Sequence, residues 1–343
     1  MQKKINENAV IAAIEIGVNE VEVMVGQYFH KEVWISNKGT SGERSNTSTA
    51  VMLERVDVLG YALAPSKGFV NGRVKYLDIA VNTLLAVLNE ASKMADVEIS
   101  HVNIVLNEKN ISLKNELLLI FESYSPRPIQ EALLSQFKTD LGNEKSSLDL
   151  LHLDVIDYVV DGGMAPMVDP SGMVCHKVQA NVSYVFVDKQ EKNKLSKLMS
   201  NAKINTHEII LRPIANSNAV LSAQEKHEGV VLLSYNDDEH LDVAIIKGFV
   251  GNGMVHFSSH ACDGIPIDLT VAKVLSIILQ NVTCNHGMVM VGNHKDLNAL
   301  YVAFQQQCTI AVRIGIPQNV FSSIKNSDYA SPAFTTLVGL LKT

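Results

Sequence analysis

The sequence predicts an α/β protein of two related lobes facing one another across a cleft, with a small α+β subdomain inserted in the first lobe. Three observations lead there. A strand–turn–strand theme near the N-terminus returns in the last third of the chain. Between the copies, strand and helix periodicities alternate. Residues of about 109–172 break that alternation with short strands, one helix and a loop rich in Gly, Pro and Asp.

The elements follow in order. Val10–Gly17 is a short apolar run ending in glycine, Glu20–Gln27 alternates, and Lys31–Ser36 follows a turn. Together they read as three antiparallel strands. Asn37–Thr49 is polar and loop-like. A short strand is expected near Val56–Leu63, then a turn-rich stretch, Ser66–Arg73. From Leu77 to Met94 apolar residues recur at helical spacing, which predicts an amphipathic helix. His101–Asn107 is a strand. Inside the insertion, Leu117–Phe121 and Val155–Val160 read as strands and Ile129–Phe137 as a helix. Val178–Val187 is then a long alternating strand, Lys192–Ala202 a helix and His207–Ile214 a strand. Asn216–His227 reads as a helix with Asn216 as its N-cap.

The opening theme then returns as Gly229–Asn236, His240–Gly248 and Gly253–Ser259. The equivalent turns, at Gly17 and Asn236, are 219 residues apart. A duplicated β-β-β-α-β unit would turn the first hairpin of each copy toward the cleft. The expected domains are 1–108 with 173–213 for the first lobe, 109–172 for the insertion and 214–332 for the second lobe. Residues 333–343 are expected to return to the first lobe.

Composition narrows the class. The 343 residues carry 29 Lys+Arg against 36 Asp+Glu, a net charge of −7, with 47% hydrophobic and 19% charged residues. Such a chain buries a sizeable core, and its length suggests about two domains. The acidic balance argues against nucleic acid as a partner. No apolar run reaches the ~18–20 residues that span a bilayer, so no transmembrane segment is expected. The N-terminal MQKKINENAV lacks the apolar core of a secretory signal. Four cysteines do not make a disulfide framework. The expected compartment is cytoplasmic.

Three stretches carry a family resemblance. His286–Asn319 holds strand, glycine and helix, followed by Val312, Arg313, Ile314, Gly315, Pro317 and Asn319. Lys67–Ser100 opens with Lys-Gly-Phe-Val-Asn-Gly, runs through the helix and ends in Ala-Asp-Val-Glu-Ile-Ser. Glu15-Ile16-Gly17 ends the first strand. In this order, over about Ile11 to Leu341, the chain resembles FtsA, the actin-like bacterial cell-division family. The resemblance implies an actin-like fold, that is, two ribonuclease-H-like lobes with a small extra domain in the first, matching the insertion.

The resemblance also implies where ATP and Mg²⁺ would sit. Glu15, Gly17, Asn19, Asn236, Asp237, Gly292 and Asn293 fall at the family's nucleotide-cleft positions. The residues there depart from what a polyanion needs. Phosphates are cradled by backbone N–H groups of glycines and by hydroxyls. Here the first turn reads Glu15-Ile16-Gly17-Val18-Asn19-Glu20, with the hydroxyls gone and a base replaced by an acid. The second reads Ser234-Tyr235-Asn236-Asp237-Asp238-Glu239, with its glycines replaced and three carboxylates together. A carboxylate ~6 Å from a phosphate, at an effective dielectric of ~20, costs about 3 kcal/mol. The expectation is a degenerate ATPase with no bound cofactor; the alternative is an active ATP switch with Mg²⁺. Asp237–Glu239 reads equally well as a solvated hairpin tip.

Other clusters carry less. Glu15 with Asp237, Asp238 and Glu239 could hold a divalent metal, but no EF-hand loop accompanies them. His260 and Cys262 with Cys284 and His286 match no zinc spacing, so no metal site is expected. Gly248, Gly251 and Gly253 lie between strands and read as a hairpin. No catalytic constellation stands out.

The resemblance implies a cell-division scaffold that contacts copies of itself, with the insertion as one polymer face. It also implies FtsZ as a partner and a place at the division site. Only about twenty residues, Ile265–Asn285, stand where the family carries its FtsZ-docking subdomain, and the chain stops at Thr343 without the family's membrane helix. A pilus-assembly relative of the PilM kind is the alternative.

Overall fold

The computed structural model describes residues 10–37, 47–99, 101–144, 150–163, 167–248, 253–281, 287–322, 324 and 328–343. The first lobe begins with β1 (Val10–Ile16), β2 (Glu20–Asn37), β3 (Thr47–Pro65), a small hairpin of β4 (Phe69–Val70) and β5 (Arg73–Val74), α1 (Leu77–Ala95) and β6 (Val102–Leu106). The insertion holds β7 (Ser112–Pro128), α2 (Glu131–Glu144), β8 (Leu150–Val160) and β9 (Val174–Phe186). The chain returns through α3 (Lys189–Asn201) and β10 (Thr206–Leu211). It continues with α4 (Arg212–Val220), α5 (Ala223–Glu228), β11 (Val230–Tyr235), β12 (His240–Ile246) and β13 (Met254–Ala261). The last elements are α6 (Ile267–Asn281), β14 (Met288–Val291), α7 (Leu297–Gln307), β15 (Val312–Ile314), β16 (Val320–Ser322), a 3₁₀ turn (Pro332–Phe334) and α8 (Thr335–Leu341).

The duplication is present in the sheet order. The first lobe's sheet runs β10-β6-β1-β2-β3-β16 and the second lobe's runs β13-β12-β11-β14-β15. Aligned from the β10 and β15 ends, five strands match one for one. In both lobes the first strand pairs antiparallel with the second and parallel with the strand after the helix. The apolar runs become the buried strands: Ala12, Ala13 and Ile14 of β1 and Val230 to Leu233 of β11 are solvent-free. Helix α1 covers the first sheet with Ala80, Leu84, Val87, Leu88 and Ala91, the stripe expected from its spacing.

Helices α4 and α8 pack against each other between the lobes. Gly339 makes this possible: a Cβ there would stand 1.8 Å from the Ala215 carbonyl oxygen. Asn103 Nδ2 on β6 donates to Leu340 O at 2.8 Å, which ties α8 to the first sheet.

Several boundaries differ from the sequence reading. Lys31–Ser36 is no separate strand but the far part of β2, which pairs with β3 as far as Asn37 opposite Thr47. The polar loop expected at 37–49 lies mostly outside the described residues. The sequence places Val178–Val187 in the first lobe, yet all of it but Val187 falls in β9, the centre of a sheet ordered β7-β9-β8. Alternation identifies a strand without naming its sheet, so the insertion extends to Phe186 rather than ending near 172. The return to the first lobe comes earlier than 333, because β16 pairs parallel with β3 from Val320. Asn216 caps no helix: it lies inside α4, fully buried, and the expected single helix is broken at Leu221–Ser222. Ser222 caps α5 instead, in a reciprocal capping box with Glu225.

Candidate functional site

The two hairpin turns that the duplication equates do face one another. Gly17, Val18, Asn19 and Glu20 from the β1–β2 turn share one cavity with Asn236, Asp237 and Asp238 from the β11–β12 turn. Glu15, Glu22, Arg212, Asn293 and Ala333 complete its lining. Of the seven residues picked out from sequence, six therefore line the same cavity, and Gly292 stands directly behind it. Gly292 has φ +123°, and a Cβ on it would lie 1.9 Å from Tyr235 O, so only glycine lets β14 end this close to β11. Asn293 is joined to the second turn twice: its Oδ1 accepts from Asp237 N at 3.1 Å and its Nδ2 donates to Asp237 Oδ2 at 3.1 Å. His294 stacks on Tyr235, ring centroids 3.9 Å apart.

The floor of the cleft is a chain of alternating charges. Arg212, at the start of α4, is only 3% exposed. Its Nη2 lies 3.2 Å from Glu15 Oε1 and its Nη1 3.2 Å from Asp238 Oδ2. Lys109 Nζ meets Asp238 Oδ2 at 2.9 Å and Asp242 Oδ1 at 3.1 Å. Ser259 Oγ donates to Asp242 Oδ1 at 2.5 Å. The sequence Glu15–Arg212–Asp238–Lys109–Asp242 thus runs from the end of β1 to the second strand of the other lobe. Buried ions of one sign are costly, and alternation with hydrogen bonds offsets that cost.

The electrostatic consequences follow. Burial raises the pKa of Asp238, but Arg212 and Lys109 outweigh it and hold the carboxyl at about 2. Burial opposes the charge on Arg212, yet Glu15, Asp238 and Asp242 around it drive its pKa up, so it remains a cation. Burial pushes Glu15 up, against the pull of Arg212 and a hydrogen bond with Thr336. Glu22, directly across the β1–β2 ladder from Glu15, is pushed up to about 7 by burial and by the Glu15 charge. Its one strong support is the Tyr61 hydroxyl, which donates at 2.8 Å.

The sequence argument from three clustered acids needs correction on this geometry. Asp238 points inward and is neutralised, whereas Asp237 and Glu239 are exposed at the hairpin tip. The four acids do not converge: among the described residues no three His, Cys, Asp or Glu side chains are placed to hold a metal ion. Cys262 is buried with its thiol toward His260 O, while Cys284 and His286 lie outside the described residues. Sequence reasoning missed Arg212 and Lys109. The available signal was a single arginine in an otherwise apolar run, Ile209-Ile210-Leu211-Arg212-Pro213-Ile214.

The inner cavity measures about 40 Å³, where ligand pockets run to roughly 300–1,000 Å³. The outer cleft is larger, about 780 Å³, with Arg73, Lys75, Lys109 and Lys194 on its walls. Three of those cations are already matched: Arg73 with Glu108 at 2.9 Å, Lys194 with Glu191 at 2.6 Å, and Lys109 with its two aspartates.

No family model matches the chain. Its sequence is similar to the cell division protein FtsA of Escherichia coli K12, 21% identical over 284 residues, covering 79% of this chain and 61% of the relative. FtsA of Neisseria meningitidis serogroup B is 24% identical over 209 residues, covering 60% and 48%. The chain thus spans roughly half to three-fifths of the length of these relatives. Among solved structures, the PilM–PilN type IV pilus biogenesis complex contains a chain that superposes with a TM-score of 0.60 at 12% identity, covering 97% of this chain and 98% of that one. With two duplicated lobes around a cleft, the chain has the actin-like fold, and its sequence is similar to FtsA.

Proposed function

We propose that this chain is a self-associating adaptor of the FtsA kind, working through protein contacts at the division site, with its cleft held shut by its own charges instead of by ATP. The observation that carries this is the buried Glu15–Arg212–Asp238–Lys109–Asp242 chain. Arg212 stands between the two hairpin turns, where an actin-like relative would hold a polyanion and its cation. A fixed guanidinium satisfies the carboxylates of both turns at once, and an entering triphosphate would have to displace it. The chain performs no hydrolysis on this reading and needs neither nucleotide nor Mg²⁺. Calorimetric titration with Mg-ATP tests it: no heat of binding up to millimolar nucleotide is expected, and micromolar binding overturns it.

A second reading has its own support. The pilus-complex chain superposes over nearly the whole of both chains, and a pilus-assembly adaptor would use the same closed lobes. Pull-down with FtsZ against pull-down with pilus inner-membrane proteins separates the two. Capture of FtsZ alone favours cell division; capture of the pilus proteins alone moves the function to assembly of that machine.

A further inference from the structure

Away from the hairpin cleft, a cavity of about 760 Å³ opens between the lobes, within the roughly 300–1,000 Å³ of ligand pockets. Its walls come from both sides. Tyr28 and Glu54 stand on β2 and β3, Lys342 follows α8, Lys226 is on α5 and Arg313 is on β15. The hairpin cleft lies at the start of β2 and the end of β11, whereas Tyr28 is further along β2 and Lys226 precedes β11. The two cavities share no lining residue.

The charges of this second lining do not balance. It holds three cations, Lys226, Arg313 and Lys342, against two carboxylates, Glu54 and Glu225. Arg313 and Glu225 answer each other: Nε and Nη2 donate to Glu225 Oε1 at 3.0 and 2.6 Å. Glu54 is left to serve two lysines. Lys342 Nζ stands 3.4 Å from Glu54 Oε2, and its side chain is only 9% exposed. The Tyr28 hydroxyl bonds to the same carboxyl. Lys226 Nζ donates to a neutral group, Asn218 Oδ1, at 3.1 Å. Burial and the Lys342 charge hold Lys226 down at about 8, against smaller pulls from Glu54 and Asp154. Two ammonium groups thus repel one another beside a space large enough for a ligand, and an anion there would offset both their burial and their repulsion.

The rest of the lining describes the ligand's body. Ala219, Val220, Leu221, Ala223 and Ile316 give the cavity an apolar stretch. A bare ion would use the charges and leave that stretch in water. An excess of one positive charge matches a single carboxylate better than a phosphate ester, which carries about −2 at neutral pH.

We propose that this cavity binds a small organic carboxylate, its head between Lys226 and Lys342 and its apolar body against residues 219–223 and Ile316. The inference is separate from the adaptor reading, since it requires neither a closed cleft nor a division partner.

Calorimetric titration of the whole chain with hexanoate near neutral pH, where Lys226 is charged, tests it. Binding at about 1 mM or tighter is expected. Hexanol has the same body without the charge and hexylammonium has the charge reversed, so neither should bind. K226M and K342M keep the aliphatic stems and should each weaken hexanoate about tenfold, with an unchanged fold checked by circular dichroism. In the wild type, hexanoate should also protect Lys226 and Lys342 together from acetic anhydride, read by mass spectrometry, which needs no variant. No binding up to about 10 mM hexanoate overturns the proposal. So does hexanol binding as well as hexanoate, full affinity in both folded variants, or protection that misses the two lysines. Hexyl phosphate binding more tightly than hexanoate overturns the assignment of a carboxylate.

Discussion

Replacing Arg212 by Met is the sharpest probe of the cleft. Met matches the stem of the side chain and deletes only the charge. In the wild type the guanidinium faces two carboxylates at 3.2 Å each. At an effective dielectric of ~20, each such pair is worth about 5 kcal/mol before desolvation, which removes several kcal/mol per buried ion. The net value of the pairs is therefore small, but the cost of breaking them is not, since two buried carboxylates lose a partner. Asp238 keeps Lys109; Glu15 keeps only its hydrogen bond with Thr336. The expected loss is about 3–5 kcal/mol at pH 8. The sign with pH follows. Without Arg212, the burial that raises Glu15 is opposed only by the Thr336 hydrogen bond, so its folded pKa stands above its unfolded value. Stability is then present below about 4.5 and is lost as pH rises through the folded value. Urea denaturation at pH 5 and pH 8 should show the variant closer to wild type at pH 5, and Glu15→Gln in the same chain should recover part of the loss at pH 8. A loss below about 1 kcal/mol at both pH values refutes the reasoning.

Two further outcomes rest on the same site. Glu22, raised to about 7 in the folded chain from an ordinary 4.5, contributes stability below pH 4.5 that is lost as pH rises to 7. Glu22→Gln should leave stability unchanged near pH 4 and raise it by roughly 2–3 kcal/mol at pH 8, read from urea midpoints; equal midpoints at pH 8 would count against the buried Glu15–Glu22 opposition. Gly292→Ala drives a methyl group into Tyr235 O and should cost about 2–3 kcal/mol in thermal or urea unfolding; an unchanged midpoint would mean that the β11 and β14 ends do not meet as described.

Local periodicity carried much of the fold. The buried face of α1 and the paired hairpins of both lobes follow from residue spacing alone. What spacing could not supply was partnership between strands. The alternation of Val178–Val187 is equally compatible with either sheet, and only the ladders to β7 and β8 assign it to the insertion. The sequence places a turn between Gln27 and Lys31. The backbone runs through it because β3 continues opposite, with His30 facing Glu54 and Lys31 facing Leu53. Asn216 looked like a helix cap because asparagine favours that position. Its side chain is used elsewhere, donating to Ser234 Oγ at 2.9 Å and accepting from Thr336 Oγ1 at 3.0 Å, so it joins α4 to both β11 and α8.

The site was legible as a place and illegible as chemistry, for one physical reason. Turn residues are specified locally: Gly17, Asn236 and Asn293 mark the cavity because hairpins need such residues wherever they occur. The sign of the field inside is not local. Counted along the chain, Asp237, Asp238 and Glu239 make a triple negative charge that repels a polyanion. In three dimensions, the middle of the three turns inward to cations from residues 109 and 212, which belong to the insertion boundary and to α4. Both accounts disfavour a triphosphate, yet they differ in mechanism. Repulsion would be relieved by Mg²⁺ or salt, whereas displacing Arg212 from two buried carboxylates would not. Comparing the nucleotide titration with and without magnesium therefore separates simple charge repulsion from an occupied cleft.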